Sequence, residues 1–202
     1  PVVDPVSEAI YIRDDTTGRY WSPTPRPLTP LSNRQKISPR YVIQHQFGKT
    51  EFHHERELIE SVLQVGVSPD PSVAAKFSIL RLYNRSHRLR RLSIIGYIEW
   101  VCGDQREATQ HHIVTSPVMV SGRGIRCVSA RRTFDEQLVN HLAFFACSGQ
   151  PGISSTDPNA CTGTILVDTL TCDRRQFIGR NRSLSLPQAL ETNSWAEYVG
   201  PS

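Results

Sequence analysis

The chain has 202 residues, of which 38% are apolar and 21% charged, and its formal net charge is +4. This composition is typical of a folded globular protein and excludes the disordered and fibrous classes. Basic and acidic residues are interleaved without a long basic stripe, which argues against a nucleic-acid-binding protein. No apolar stretch approaches the ~20 residues that a membrane-spanning helix needs.

The length of the chain bears on its number of domains, and its cysteines bear on the redox state of the cellular compartment in which it lies. One domain covering residues 1–202 is expected, because all-β sandwiches often reach this size as single units. The sequence begins at Pro1 with neither an initiator Met nor a signal peptide, so we expect an excerpt from a longer polypeptide. The five cysteines include no Cys-x-x-Cys pair, which predicts core or near-core thiols in a reducing compartment, on the cytoplasmic side of a membrane.

The first part of the chain shows period-two alternation, the pattern of half-buried β-strands. Residues 9–13 and 20–21 are predicted strands, and residues 14–18 form the hairpin turn between them, with a glycine available for a positive φ. Prolines at every second position predict an extended edge or surface loop over residues 23–27. Alternation resumes over residues 41–47, with one face made of Tyr41, Ile43, His45 and Phe47.

The middle of the chain contains one ambiguous segment and one clear pattern. Residues 55–65 fit a short helix or a strand by periodicity alone, and the strands around them favour β structure. Residues 73–102 predict a long antiparallel hairpin with a polar turn at residues 84–87. The apolar face of its second strand is expected to comprise Leu92, Ile94, Ile98 and Trp100.

Shorter elements are predicted after Gly103. The expected strands span residues 113–120, 125–130 and 139–147. Residues 121–124 predict a hairpin turn, residues 148–163 a loop, and residues 187–190 a short helix opened by a proline. The fold class predicted from these patterns is all-β, one large antiparallel sandwich with little helix.

A search for catalytic and metal-binding groups gives no constellation. The adjacent pairs His53-His54 and His111-His112 would point to opposite faces of a strand, so neither predicts a metal site. A Gly-x-Ser-x-Gly elbow and a phosphate-binding glycine loop are both missing from the sequence. Glycoside chemistry usually needs two carboxyl groups that face each other across the substrate. Carboxyl groups are present, but their spacing in the sequence does not show that any two of them lie together. The sequence therefore predicts no catalytic residue, no metal and no other cofactor.

Sugar binding requires less, because aromatic platforms and planar hydrogen-bonding groups suffice. Trp100, on the apolar face of a predicted strand, is expected to pack in the core. Trp21 lies where a strand becomes a proline-rich loop, and the sequence leaves exposure and burial equally open. Arg180 follows a glycine that would allow close approach of a ligand, although a structural salt bridge is the favoured role.

Several segments in order carry a family resemblance. They are Glu8-Ala9-Ile10-Tyr11-Ile12-Arg13-Asp14 with Thr17-Gly18, Trp21-Ser22-Pro23-Thr24, Arg91-Leu92-Ser93 leading into Tyr97-Ile98-Glu99-Trp100-Val101, Asp173-Arg174, and Phe177-Ile178-Gly179-Arg180-Asn181 followed by Ser183-Leu184 and Pro187. Together they resemble the N-terminal β-supersandwich domain of glycoside hydrolase family 94, formerly glycosyltransferase family 36. Within that family the sequence is most similar to the corresponding region of cyclic β-1,2-glucan synthases.

The resemblance implies a twisted antiparallel supersandwich of the galactose-mutarotase type, placed before a helical (α/α)6 barrel. In this family the barrel carries the catalytic aspartate and the phosphate site, and members invert the anomeric carbon as phosphate attacks a β-glucosidic bond. The resemblance further implies that the sandwich shapes the sugar site and supports dimer contacts. An isolated copy of it is therefore expected not to turn over substrate.

The expected carbohydrate-binding residues are Trp21, Arg26, His45, Phe47, Arg174, Phe177, Arg180 and Asn181. The expected partners are a β-glucan or gluco-oligosaccharide, the downstream barrel and a second copy in a homodimer. Neither nucleic acid nor a membrane contact of this domain is expected, and the parent enzyme would lie on the cytoplasmic side, attached to the inner membrane. The alternative is a purely structural or dimerisation domain without sugar affinity.

Overall fold

A computed structural model describes residues 6–28, 40–103, 109–120, 125–133, 141–149 and 170–192. The chain divides into two compact units. Unit 1 comprises Pro1–Ile98 and Ile178–Asn193, and unit 2 comprises Glu99–Phe177 and Ser194–Ser202. Every described sheet is antiparallel, so the predicted all-β antiparallel fold class is confirmed.

Unit 1 contains two sheets and a short helix. Its strands are β1 (Glu8–Asp14), β2 (Tyr20–Trp21), β3 (Tyr41–Gln46), β4 (Lys49–Arg56), β5 (Ile59–Val67), β6 (Lys76–Asn84) and β7 (Leu92–Ile98). One sheet has the order β2-β1-β7 and the other the order β3-β4-β5-β6.

The β1–β2 hairpin has the predicted strands and turn. Gly18 has a φ of +72° and donates its backbone N–H to the carbonyl oxygen of Asp14 over 2.8 Å. The strand β1 is not half-buried as its alternation suggested, because Tyr11, Ile12 and Arg13 are all buried although they point to alternate faces. Both faces of this central strand are therefore covered.

In the four-stranded sheet, the ambiguous segment 55–65 proves to be β structure, as predicted, but a turn divides it between two strands. The strands β4 and β5 join through the two residues Glu57 and Leu58, whose φ values are +52° and +63°. Such a turn normally carries Asn or Gly, so its sequence gave no turn signal. The strand β3 ends at Gln46, and Phe47 belongs to the following turn, which corrects its predicted place on the strand face.

The predicted hairpin over residues 73–102 is wrong. The strand β6 pairs with β5, whereas β7 pairs with β1 in the other sheet. The side chain of Asn84 bonds both the backbone N–H of Ser86 and the carbonyl oxygen of Arg88, so the polar turn forms. The chain after this turn nevertheless enters the other sheet. Alternation within each strand cannot reveal which strand is its neighbour.

The C-terminal segment of unit 1 completes its core. The final turn of helix α1 (Arg174–Ile178) leads into it, and helix α2 (Gln188–Thr192) ends it. Ile178, Leu184 and Leu190 are almost completely buried. Burial of each such side chain contributes about 1.5–3 kcal/mol. The predicted helix at residues 187–190 is thus observed one residue later.

Unit 2 contains a three-stranded sheet of order β10-β9-β8. Its strands are β8 (Ile113–Val120), β9 (Ile125–Arg132) and β10 (Ala143–Cys147), and a 3-10 turn, Gln110–His112, precedes β8. The predicted starts of β8 and β9 are confirmed, and β10 begins later than residue 139. The predicted turn at 121–124 and most of the loop at 148–163 lie outside the described residues.

Candidate functional site

The strand β1 is fixed to the C-terminal segment of unit 1 by two buried side-chain hydrogen bonds. The hydroxyl of Tyr11 donates to the carbonyl oxygen of Leu184 over 2.7 Å. The Nε of Arg13 donates to the carbonyl oxygen of Leu190 over 3.0 Å, and its Nη1 lies 2.7 Å from Oδ1 of Asp15. Since helix carbonyls at the C-terminal end lack partners within the helix, the Arg13 contact also caps α2. Residues near the two ends of the chain thereby form one core.

A glycine turn shapes the connection between the two helices. Gly179 has a φ of +88° and Asn181 a φ of +56°. A Cβ at Gly179 would lie 2.3 Å from Oε1 of Gln188 and 2.8 Å from its Cβ, so a larger residue does not fit. Arg180 and Asn181 are exposed at this turn. The glycine is required by the turn, and the exposed side chains beside it remain available to a ligand.

A buried ion pair lies at the end of β1. The Nη2 of Arg90 is 2.5 Å from Oδ2 of Asp14, and both side chains are nearly inaccessible. The Oδ1 of Asp14 accepts backbone N–H bonds from Thr16 and Thr17. Burial alone raises the pKa of Asp14, but these two amides and the Arg90 guanidinium outweigh it and hold the pKa below its usual value. Arg90 also donates to the carbonyl oxygen of Glu57, which joins the two sheets of unit 1.

Trp21 lies in a second buried cluster. Its ring is 1% exposed, and the Arg56 guanidinium carbon is 5.9 Å from the ring centroid, within cation–π range. Tyr41 stacks on His54 with ring centroids 4.2 Å apart, and its hydroxyl donates to the carbonyl oxygen of Ser22. Burial lowers the pKa of His54 and raises that of Tyr41 to about 12. The question left open for Trp21 is thus decided in favour of burial.

The other predicted residues of unit 1 are exposed and lie in different loops. His45 is at the end of β3, with Nδ1 3.1 Å from Oγ1 of Thr50, and Phe47 in the next turn is fully exposed. Arg26 follows β2, precedes a cis peptide bond to Pro27, and has an exposed side chain. His45 and Phe47 therefore share one hairpin. Among the described residues, no hydrogen bond or ion pair joins that hairpin to Arg26.

Of the two predicted sugar-binding residues in unit 2, one is exposed and the other is buried. Arg174 is exposed, and its Nε lies 3.7 Å from Oε2 of Glu99. Phe177 is 5% exposed and cannot present its ring face to a sugar without rearrangement. Trp100 is half-buried and lies beyond the end of β7 at Ile98, which corrects its predicted place on that strand's apolar face.

Sequence reasoning missed a connected group of planar polar side chains on the four-stranded sheet. The register places Gln44, Glu51 and Gln64 directly opposite one another on β3, β4 and β5, and hence on one face. Gln64 Nε2 donates to Glu51 Oε1 over 2.7 Å, and Arg81 Nη1 on β6 donates to Gln64 Oε1 over 2.8 Å. We call this surface the polar face, comprising Gln44, Gln46, Lys49, Glu51, His53, Gln64, Phe77, Ile79 and Arg81. The register also places Val42 and Val62 on this side of the sheet, one on each side of His53.

The carboxylate of Glu51 is the centre of the polar face. Lys49 Nζ lies 2.8 Å from Oε1, and His53 Nε2 lies 3.4 Å from Oε2. The hydrogen bonds from Lys49 and Gln64 lower the pKa of Glu51. The signal in the sequence was the polar residue at every second position of β4, which is equally typical of any solvent-facing strand.

Comparison with known families decides the assignment. A family model described as "Glycosyl hydrolase 94, supersandwich domain" matches residues 1–202, the whole chain. The chain belongs to this family. The recognition made from the sequence motifs, including the supersandwich architecture, is therefore confirmed.

A curated relative of this supersandwich domain is named "Cyclic beta-(1,2)-glucan synthase NdvB", from Rhizobium meliloti (strain 1021). The two sequences are 27% identical over 201 residues, which cover 98% of this chain and 6% of the relative. The chain thus spans a small part of that protein's length. The resemblance to cyclic β-1,2-glucan synthases that the motifs indicated is confirmed at this level.

Other features of the supersandwich domain concern thiols, metals and membranes. Cys102, Cys127, Cys147 and Cys172 are free thiols, and Cys161 lies outside the described residues. Cys147 is exposed at the end of the edge strand β10, which corrects its expected core or near-core position. Within the described ranges, no three His, Cys, Asp or Glu side chains are grouped to hold a metal ion. No helix in those ranges is long and apolar enough to cross a membrane.

Proposed function

We propose that this supersandwich domain is an accessory, non-catalytic module of a multidomain glucan-processing enzyme. In this role it shapes the sugar site and contributes interdomain or dimer contacts. The observation that carries the proposal is the engagement of the motif side chains Tyr11, Arg13 and Asp14 in buried contacts within unit 1. Groups held in this way support a fold and are not available to react with a substrate. The family match over the whole chain and the printed name of the relative support the glucan context.

The chemistry in this proposal resides in the parent enzyme. A downstream (α/α)6 barrel would carry an inverting phosphorolysis or glycosyl transfer on a β-glucan. The parent would lie on the cytoplasmic side of the inner membrane, and the free thiols of Cys102 and Cys127 are compatible with a reducing compartment. The proposal treats residues 1–202 as one sandwich domain that includes both compact units.

The predicted sugar contacts have two roles in this proposal. The exposed side chains provide direct contacts, and these are Arg26, His45, Phe47, Arg174, Arg180 and Asn181. Trp21 and Phe177 are buried and would support the neighbouring loops from within.

The first experiment tests whether the chain is a non-catalytic module or an enzyme in its own right. The purified 202-residue chain is incubated with β-1,2-gluco-oligosaccharides and inorganic phosphate, and release of glucose 1-phosphate is followed. We expect no release above a boiled control, together with saturable binding of the same oligosaccharides in titration calorimetry. Appreciable phosphorolysis would overturn the non-catalytic role.

The second candidate function is a purely structural or dimerisation domain without sugar affinity. The burial of Trp21 and Phe177, both expected as sugar platforms, favours it. Calorimetry without a binding signal, combined with a dimer in analytical ultracentrifugation, would support this candidate over the first. Binding of oligosaccharide to the chain would exclude it.

A further inference from the structure

We propose that the polar face of the four-stranded sheet is a binding surface for a β-linked gluco-oligosaccharide. This inference rests on the proposed glucan function and states which surface of the domain binds the sugar. None of the predicted sugar contacts belongs to this surface. Its residues lie on three adjacent strands, β4 to β6, and on the neighbouring strand β3.

The hydrogen-bonding groups of the polar face are already ordered without a ligand. Gln64 donates to Glu51 and accepts from Arg81, so its amide plane is fixed at both ends. One N–H of the Gln64 amide and further N–H groups of Arg81 remain available, as do carboxylate and amide lone pairs. A sugar hydroxyl both donates and accepts, and therefore matches a surface that offers both kinds of group. Pre-ordering of this kind reduces the entropy cost of binding.

An apolar strip borders the polar groups. Phe77 and Ile79 on β6 point to the same face and are 54% and 49% exposed. Gly66 on β5 lies between Phe77 and Lys49 in the register and has no side chain to cover the ring. A pyranose ring has an apolar C–H face that packs on such an aromatic surface. The strip and the polar network together match the two faces of a sugar.

The charges on this face favour a neutral ligand. The Glu51 carboxylate is paired with Lys49 and lies near His53, so much of the local positive charge is balanced within the surface. A nucleic acid would require a concentrated basic surface. A protein partner typically buries an apolar centre. Here the centre of the face is the pair Glu51 and Gln64, and the apolar residues lie around it, namely Phe77, Ile79, Val42 and Val62. An uncharged polyhydroxyl chain fits this arrangement best.

The test uses titration calorimetry of the 202-residue chain with a purified β-1,2-gluco-oligosaccharide. Arg81→Ala, Gln64→Ala and Phe77→Ala should each weaken binding by about five- to tenfold, the cost of one lost contact of this kind. Two variants are matched controls. Arg88→Ala removes an exposed arginine outside the face, and Phe144→Ala removes an exposed phenylalanine of unit 2. Both should bind as the unchanged chain does.

The outcomes separate this inference from the proposed function. If the unchanged chain binds and the three face variants bind equally well, the site is elsewhere and only this inference fails. If the unchanged chain does not bind at all, the inference and the sugar-binding role both fail. Affinity should change little between low and high salt, because the ligand is uncharged. Circular dichroism and urea unfolding establish that each variant is folded.

Discussion

The hydroxyl of Tyr11 donates a 2.7 Å hydrogen bond to the carbonyl oxygen of Leu184, 173 residues farther along the chain. Two residues after Tyr11, Arg13 makes the equivalent contact with Leu190. These two bonds join segments that carry the family resemblance at opposite ends of the sequence. The motif side chains Tyr11 and Arg13 therefore belong to the framework of this supersandwich domain, and the proposed sugar contacts are made by exposed side chains.

Tyr11→Phe should destabilise the domain. The substitution keeps the ring but removes the buried hydrogen bond from the Tyr11 hydroxyl to the carbonyl oxygen of Leu184, which costs about 0.5–1.5 kcal/mol. Urea unfolding followed by circular dichroism measures the difference. Tyr83→Phe is the matched control, because Tyr83 is 42% exposed and its loss of a hydroxyl should change stability by less than about 0.5 kcal/mol. Equal stability of the two variants would contradict the framework role of Tyr11.

Asp14→Asn should reduce stability at pH 7 by on the order of 3 kcal/mol, because it removes the closer of the two carboxylates paired with the buried Arg90 and leaves only Glu57, at 3.7 Å. The pKa of Asp14 is held below its ordinary value of 3.8 in the fold. The stabilisation is therefore complete above pH 3.8 and is lost as the pH falls toward the lowered pKa. The variant should lack this part of the acid dependence. Lys76→Ala, which breaks an exposed pair with Glu8, serves as control and should change stability by at most about 1 kcal/mol.

His54 should make stability fall in mildly acidic solution. Burial lowers its pKa below the ordinary 6.5, so the unfolded chain takes up a proton before the folded chain does. The stabilisation is full above pH 6.5 and declines as the pH falls from there toward the lowered pKa. His54→Phe, which retains a ring to stack on Tyr41, should flatten the dependence of unfolding free energy on pH over this range. An unchanged slope in His54→Phe would contradict this role of His54.

Gly179→Ala and Gly48→Ala should differ in cost although both glycines have positive φ, +88° and +74°. At Gly48 a Cβ meets nothing within 4 Å, so only the backbone penalty of about 1 kcal/mol applies. At Gly179 the added Cβ also collides with Gln188, so we expect a further loss of stability of about 1–3 kcal/mol. Chemical denaturation of both variants measures this difference. Equal losses of stability in the two variants would mean that Gln188 moves away from the added Cβ without a measurable change in unfolding free energy.

Both compact units should unfold together if residues 1–202 form one domain. Calorimetry should then give a single transition whose calorimetric and van't Hoff enthalpies agree. Two resolved transitions would require the proposal of a single domain to be replaced by two independently stable units.

Local sequence signals predicted those parts of the fold that depend on neighbouring residues. The hairpin of β1 and β2 has its turn where the glycine indicated, and β8 spans the predicted residues. The hairpin of β6 and β7 was wrong because each strand has the right alternation but a different partner. The turn at Glu57 and Leu58 could not be predicted from the sequence, because neither residue type favours a positive φ.

The candidate site was harder to predict than the fold. Aromatic and arginine residues were selected by type, and type does not report burial, as the positions of Trp21 and Phe177 illustrate. The network of Glu51, Gln64 and Arg81 joins three strands, so it exists only once their register is known. A polar residue at alternate positions of one strand carries no information about partners on the next.

Chemical-shift mapping of the isotope-labelled chain with a β-1,2-gluco-oligosaccharide is the decisive measurement for sugar binding on the polar face. We expect saturable changes at backbone amides of β4, β5 and β6, centred on Glu51, Gln64 and Arg81. The framework amides around Tyr11 and Leu184 should be unaffected. Changes concentrated at those framework positions, or no changes at all at saturating oligosaccharide, would contradict sugar binding on the polar face.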